Sequence, residues 1–438
     1  MEIPITPLDS WIIHKIGHPG RLTRQAIEEY QLEQLRETLC LARSQSPFYR
    51  KHLSRAPEPL SSLGDLAQFP FTAAQDIRDF GLQFLCVSQD KIQRVVTLDT
   101  TGTTGQPKRI YFTEEDQELT TDFFHNGMAT FTAPGDRVLI LLPCERAGSV
   151  GDLLATGLQR LGAEPIRHGI VRDIAQTLGV MRAEKVDSLV GIPVQVLGLA
   201  RHSPEFRLKS VLLSTDYVPD AVVRAVEREW HCQVYNHYGM TEMGLGGGVE
   251  CLAHRGYHLR EADLYFEIVH PETGQPVAEG ETGEVVFTTL TRAGMPLIRY
   301  RTGDISRFIP GACPCGTSLK NLEWIRARKT GRVAVGPVES LTIADLDEAL
   351  FSVDSVYDYD ASVSHEPGRD ILHLSVYVTR EDEPALKKRI AESLETIPAV
   401  QQAMSQASLF AQMDIYTKRT APVSPFKRTI RESGASGQ

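Results

Sequence analysis

The spacing of apolar residues changes several times along the chain, and each change predicts a different kind of element. Over 23–45, Leu32, Leu35, Leu39 and Ala42 recur at helical spacing with Glu, Gln and Arg between them, and Ser46-Pro47 closes the run. Between 137 and 235 the pattern alternates. Val138-Leu-Ile-Leu-Leu142, Leu189-Val-Gly-Ile192 and Val211-Leu-Leu213 are short apolar runs that predict buried strands. The run holding Leu153, Leu154, Leu158 and Leu161, and the stretch from Pro219 to Trp230, predict amphipathic helices. Strands separated by helices imply right-handed crossovers and a largely parallel sheet, whose ligands bind beyond the carboxyl ends of its strands. The strand Gln233-Val-Tyr235 should deliver residues 236–242 to such a place.

From 263 to 290 the period drops to two. Leu264, Phe266 and Ile268 alternate with polar neighbours, Pro271-Glu-Thr-Gly-Gln-Pro276 turns the chain, and Val285-Val-Phe287 returns. That is an antiparallel unit. Residues 329–438 read as a small α+β unit, with helices at 342–352 and 383–396 and strands at 358–364, 371–378 and 408–417. The expected fold is α/β. A large N-terminal domain, 1–328, holds βαβ sheets and the antiparallel unit, and a small α+β C-terminal domain, 329–438, follows.

Bulk properties narrow the function. A chain of 438 residues suits two or three domains. The net charge of −10 argues against general binding to nucleic acid or anionic membranes. No apolar run approaches the ~20 residues of a membrane span. Glu2 and Asp9 interrupt any signal-like start. Seven cysteines, an odd number, do not form a disulfide framework, so a cytosolic protein is expected. A homodimer is left open.

Three segments carry chemistry. In Asp99-Thr-Thr-Gly-Thr-Thr-Gly-Gln-Pro-Lys108, Gly102 and Gly105 let backbone N–H groups turn inward as an anion-binding nest. Thr100, Thr101, Thr103 and Thr104 add hydroxyls, and Lys108 adds a mobile charge, so a polyphosphate suits this loop. The glycines are too close for a P-loop, and Arg109 follows the lysine where Ser or Thr is required. In Asn236-His237-Tyr238-Gly239-Met240-Thr241-Glu242, Tyr238 offers an aromatic face for a base, Gly239 allows close backbone approach, and Glu242 is a hard oxygen ligand for Mg2+. In Tyr300-Arg-Thr-Gly-Asp304, a carboxylate on a glycine turn can accept both hydroxyls of a ribose.

Cysteine and histidine spacing adds a separate site. Cys251, His258, Cys313 and Cys315 form two close pairs of the kind structural zinc needs, with His254 the alternative imidazole. Such an ion would staple the loop after the Tyr-Gly motif to the loop after Thr-Gly-Asp.

Together these segments resemble the adenylate-forming (acyl-adenylating) superfamily: its Ser/Thr-Gly-Thr-Thr-Gly-x-Pro-Lys loop, its Tyr-Gly-x-Thr-Glu segment and its Tyr-x-Thr-Gly-Asp segment, in that order. The lead-in Ser46-Pro-Phe-Tyr-Arg50, Phe69-Pro-Phe-Thr72 and Asp76-Ile-Arg78 resembles phenylacetate–CoA ligases and the coenzyme F390 synthetases similar to them. The resemblance implies an ATP-dependent, AMP-forming ligase. A carboxylate attacks the α-phosphorus of ATP, and coenzyme A then displaces AMP. It assigns Thr241 to the α-phosphate, Arg328 to ribose and phosphates, and a C-terminal lysine to catalysis. Lys427, in Pro422-Val-Ser-Pro-Phe-Lys427, is the nominee and Lys418 the runner-up. Phe426 stands where the family has glycine, and Ala327-Arg-Lys-Thr330 replaces the Gly-Arg-x-Asp hinge. The acceptor could therefore be a carrier protein or another group, or the protein could be a non-catalytic nucleotide- and zinc-binding homologue. The acid pocket implied lies near Phe124, Ile192, Asp216, Tyr217 and Gly244.

Overall fold

The computed structural model describes residues 3–98, 106–337, 339–379, 383–417 and 428–433. The chain divides into two compact units, one of residues 1–135, 144–164 and 235–327, the other of 136–143, 165–234 and 328–438.

In the first unit the expected long helix runs Arg24–Gln45, started by the Thr23 hydroxyl accepting from Ala26 N–H. Its apolar stripe reaches a core that includes Leu35, Leu39, Tyr49, Phe84, Phe287 and Tyr300. Strands Arg94–Leu98 and Lys108–Phe112 pair antiparallel, with Leu98 opposite Lys108. Lys108 therefore opens the second strand, at the ladder end where it faces Leu98. Strands Leu264–Val269, Gly283–Thr289 and Tyr300–Ser306 pair in that order, antiparallel as the period-two pattern predicts. The strand expected to end at Tyr235 runs Gln233–Tyr238, because His237 and Tyr238 pair with Val249 and Gly248. Asn236, His237 and Tyr238 thus sit within it, and the motif's turn begins only at Gly239.

In the second unit, Arg137–Leu141, Ser188–Gly191 and Ser210–Leu213 form a parallel ladder, as the three apolar runs predict. Helix Asp220–Trp230 packs Val222, Val226 and Trp230 into the same core as Leu189 and Val211. The C-terminal part holds helices Ile343–Phe351 and Glu383–Leu394 and strands Val356–Glu366, Arg369–Val378 and Leu409–Tyr416. These match the expected elements within two or three residues at each end, and Leu346, Val363 and Leu374 share the core just named.

Candidate active site

Lys108, first in its strand, directs its ammonium into the first unit, where it pairs with the Glu242 carboxylate. Glu242 rides on the short turn Thr241–Met243, which Gly244 ends in the left-handed region at φ 72°. The Tyr300 hydroxyl completes a triangle. It accepts from Lys108 Nζ at 3.3 Å and donates to Glu242 Oε1 at 3.1 Å. The lysine of the first motif, the Glu of the second and the Tyr of the third thus meet at one point. Glu242 is 2% exposed. Burial pushes its carboxyl up, but the Lys108 charge together with hydrogen bonds from Lys108, its own backbone N–H and Tyr300 outweighs this and holds it below the usual range. The neighbouring Tyr300 phenol is driven well above its ordinary value by burial and then by the Glu242 charge. Sequence reasoning gave Tyr300 no role; it lay inside a quoted motif, but its hydroxyl contacts are made across 192 and 58 residues of chain.

The Thr-Gly-Asp turn is a bulge. Glu284 pairs with Ile305 and Val286 with Arg301, so Val285 faces the stretch 302–304. Gly303 at φ 75° makes the bend, Thr302 Oγ1 donates to the Val285 carbonyl at 2.7 Å, and Gly303 N–H donates to Glu284 Oε1 at 3.2 Å. The bulge turns Asp304 inward, where its Oδ2 accepts from the Tyr238 hydroxyl at 2.9 Å. The residues expected to meet base and ribose are therefore hydrogen-bonded to each other. Tyr238 also packs against Tyr257, ring centroids 5.7 Å apart.

Gly239 is required by the chain itself. A Cβ there would lie 2.0 Å from the Leu245 carbonyl oxygen. The close approach expected of a ligand is at least in part that of this backbone. Asn236 is buried, and its N–H donates to Glu250 Oε2 at 2.7 Å. His237 lies near Phe123 and Phe124, and burial lowers its imidazole to about 4. Thr241 and Met240 are half-buried.

Cys251, His258, Cys313 and Cys315 converge, with their ligand atoms all within 4.8 Å of one another and all four residues buried. Cys251 Sγ is 3.7 Å from Cys313 Sγ, and Cys315 Sγ is 3.4 Å from His258 Nε2. A tetrahedron with Zn–S bonds of ~2.3 Å has sulfur–sulfur edges of about 3.8 Å. The spacing fits that ion and is far too long for a disulfide. His254 stands apart: it stacks on Tyr235 at 4.7 Å, and its Nδ1 is 3.6 Å from Glu250 Oε2. Two loops bring the four ligands together because His258 pairs across the ladder with Asn321, six residues after Cys315.

The remaining expected residues fall in different units or outside the described residues. Thr100, Thr101, Gly102, Thr103, Thr104, Gly105, Lys418 and Lys427 lie outside the described residues. Of the acid-pocket set, Phe124 and Gly244 belong to the first unit, with Gly244 O accepting from Thr120 Oγ1 at 2.8 Å. Ile192, Asp216 and Tyr217 belong to the second, where the Tyr217 hydroxyl donates to Glu348 Oε1 at 2.9 Å. Arg328 is exposed and opens the C-terminal part of that unit.

The AMP-binding enzyme family matches residues 61–291. The chain is 28% identical to a phenylacetate–coenzyme A ligase of Thermus thermophilus, over 85% of this chain and 83% of that one. It is 31% identical to a phenylacetate–coenzyme A ligase of Aromatoleum evansii, over 73% and 74%. Among solved structures, 2-hydroxyisobutyryl-CoA ligase in the postadenylation state in complex with 2-HIB-AMP matches with a TM-score of 0.80 at 20% identity, covering 95% of this chain and 91% of the other. Among the described residues no helix is long and apolar enough to cross a membrane.

Proposed function

Because the chain belongs to the AMP-binding enzyme family and is a homologue of phenylacetate–CoA ligases, we propose that it activates a carboxylic acid with ATP and transfers the acyl group to coenzyme A. An aryl or arylacetic acid is the proposed substrate class. A carboxylate oxygen forms a bond to the α-phosphorus, the bond to pyrophosphate breaks, and the thiol of coenzyme A then replaces AMP on the acyl carbon. Little covalent work falls to side chains, so positioning and charge neutralisation carry the first step.

The observation that supports this reading is the Lys108–Glu242–Tyr300 triangle, which joins all three motif segments in one unit. In it Lys108 and the threonines of the loop hold the departing phosphates, Thr241 orients the α-phosphate, Tyr238 faces the base, and Asp304 takes the ribose. Arg328 assists at ribose and phosphates, and Lys427, with Lys418 as the alternative, meets the carboxylate. Glu242 suits Mg2+, because both neighbouring side chains bond Oε1 and no other described side chain bonds Oε2. That ion, when bound, supplies neutralisation of phosphate charge. We assign a structural zinc to Cys251, His258, Cys313 and Cys315, a small C-terminal domain that moves between half-reactions to 329–438, and a cytosolic location to the protein.

The test is ATP–pyrophosphate exchange across a panel of carboxylic acids, followed by AMP release with and without coenzyme A. Exchange with an aryl acid and thiol-dependent turnover are expected. No exchange with any acid, together with no heat of ATP or AMP binding in calorimetry, sinks the proposal.

A further inference from the structure

Arg292 carries a charge at 6% exposure, yet among the described residues its guanidinium forms no ion pair. Its Nε is buried and has no hydrogen-bond partner there. Burial, with a smaller push from the Arg260 charge, pulls this group below its ordinary value, and Asp116 and Glu242 only partly offset the cost. Buried charges are normally paired, because nothing else repays their lost hydration.

What Arg292 does hold is backbone. Nη1 donates to the Glu242 carbonyl at 2.9 Å, and Nη2 donates to the Tyr111 carbonyl at 2.9 Å. One carbonyl belongs to the turn that carries Glu242, the other to the strand that Lys108 opens. The guanidinium lies over the Phe112 ring at 4.4 Å. Its own loop is seated firmly. Ala293 N–H donates to Asp116 Oδ1 at 3.2 Å, and a Cβ on Gly294 would come within 2.5 Å of Asp116 Oδ2 and 2.8 Å of Thr113 Cγ2. Arg292 also lines a small cavity with Asp116, Thr120, Met243 and Gly244.

We propose that Arg292 is a positioning residue for the adenylation step: its planar fork fixes the Lys108 strand against the Glu242 turn. The inference rests on the proposed ligase activity. A lysine keeps the charge but not the fork, so it cannot hold two carbonyls in one plane. A one-ångström misplacement of a catalytic group can cost about a hundred-fold in rate.

The experiment measures pyrophosphate exchange against MgATP and against acid for wild type, Arg292→Met and Arg292→Lys, with thermal melting of each. Arg292→Met should lose about a hundred-fold in kcat/KM for MgATP while KM for the acid holds. Arg292→Lys should recover part of kcat and keep a raised KM for MgATP. A folded Arg292→Met with wild-type constants, or activity falling only in proportion to the folded fraction, overturns the role. Should Arg292→Met fail to fold, a wild-type KM for MgATP in Arg292→Lys overturns it equally. Absence of exchange by wild type removes the activity itself; wild-type exchange matched by the variants removes only the role of Arg292.

Discussion

At Tyr300 a single oxygen stands between a half-buried ammonium and a buried carboxylate, and it is the only part of that side chain that a phenylalanine would not replace. Its ring packs against Phe287 and belongs to the core of its unit. Tyr300→Phe should therefore fold, lose the contact that orients Lys108 and Glu242, and slow pyrophosphate exchange about ten-fold, the size of one hydrogen bond to a charged group. An exchange rate equal to wild type would show the hydroxyl to be a bystander. His237 gives a pH prediction at the same scale. Its imidazole is lowered to about 4 by burial beside Phe123 and Phe124. The unfolded chain binds its proton near 6.5 and the folded chain only near 4, so the folded state holds fewer protons between those values. The contribution is full above 6.5 and is lost as pH falls, by at most about 1.4 kcal/mol per unit. Urea unfolding of wild type and His237→Phe between pH 7 and 4 tests this. The variant should lose the acid slope, and parallel curves would refute the assignment.

The elements were legible where a period repeats and the partner is near in sequence. Leu32, Leu35 and Leu39 announced the helix Arg24–Gln45, and the apolar runs at 138, 189 and 211 announced the parallel ladder. Helix Pro7–Ile16 went unread, since its inward face is set by Trp11 donating to Asp122, a contact 111 residues away. The strand Gln233–Tyr238 was read three residues short, because polar Asn236 and His237 hide the ladder that His237 and Tyr238 form with Val249 and Gly248. The cluster of Cys251, His258, Cys313 and Cys315 was legible from residue type and spacing, with His254 as the alternative imidazole; ladder register is what brings His258 to the three thiols. The zinc assignment makes this element-scale expectation concrete. Purified protein should carry about one zinc per chain. Cys313→Ser should lose the metal and lower the melting temperature, as chelation of wild type should. A metal-free protein that melts like the untreated one would withdraw the assignment.

Across the whole molecule, the proposed two-step chemistry asks one adenylate to meet a lysine first and a thiol afterwards, so the proposed C-terminal domain has to move. Within the second unit several side chains tie the C-terminal part to 165–234: Arg201 donates to the Phe351 carbonyl and pairs with Asp354, Arg228 pairs with Asp354, and Glu348 makes three hydrogen bonds. Glu348, on helix Ile343–Phe351, accepts from the Tyr217 hydroxyl at 2.9 Å, from Asp220 N–H at 2.6 Å and from Ala221 N–H at 2.9 Å. Pro219 precedes helix Asp220–Trp230 without a side-chain cap, and Glu348 supplies it from a distant segment. Hydrogen bonds to a charged group are worth about 1.5–3 kcal/mol each, so this contact can bias a conformational equilibrium strongly. Glu348→Ala removes the bias from one state only. The ratio of pyrophosphate exchange to thioester formation from a preformed acyl-adenylate should then change by about ten-fold, equivalent to about 1.4 kcal/mol. Lys427→Ala should act differently, depressing exchange while leaving thioester formation from the same adenylate intact. If Glu348→Ala alters both half-reactions by the same factor, or neither, the contact is a cap for one helix and does not govern the motion.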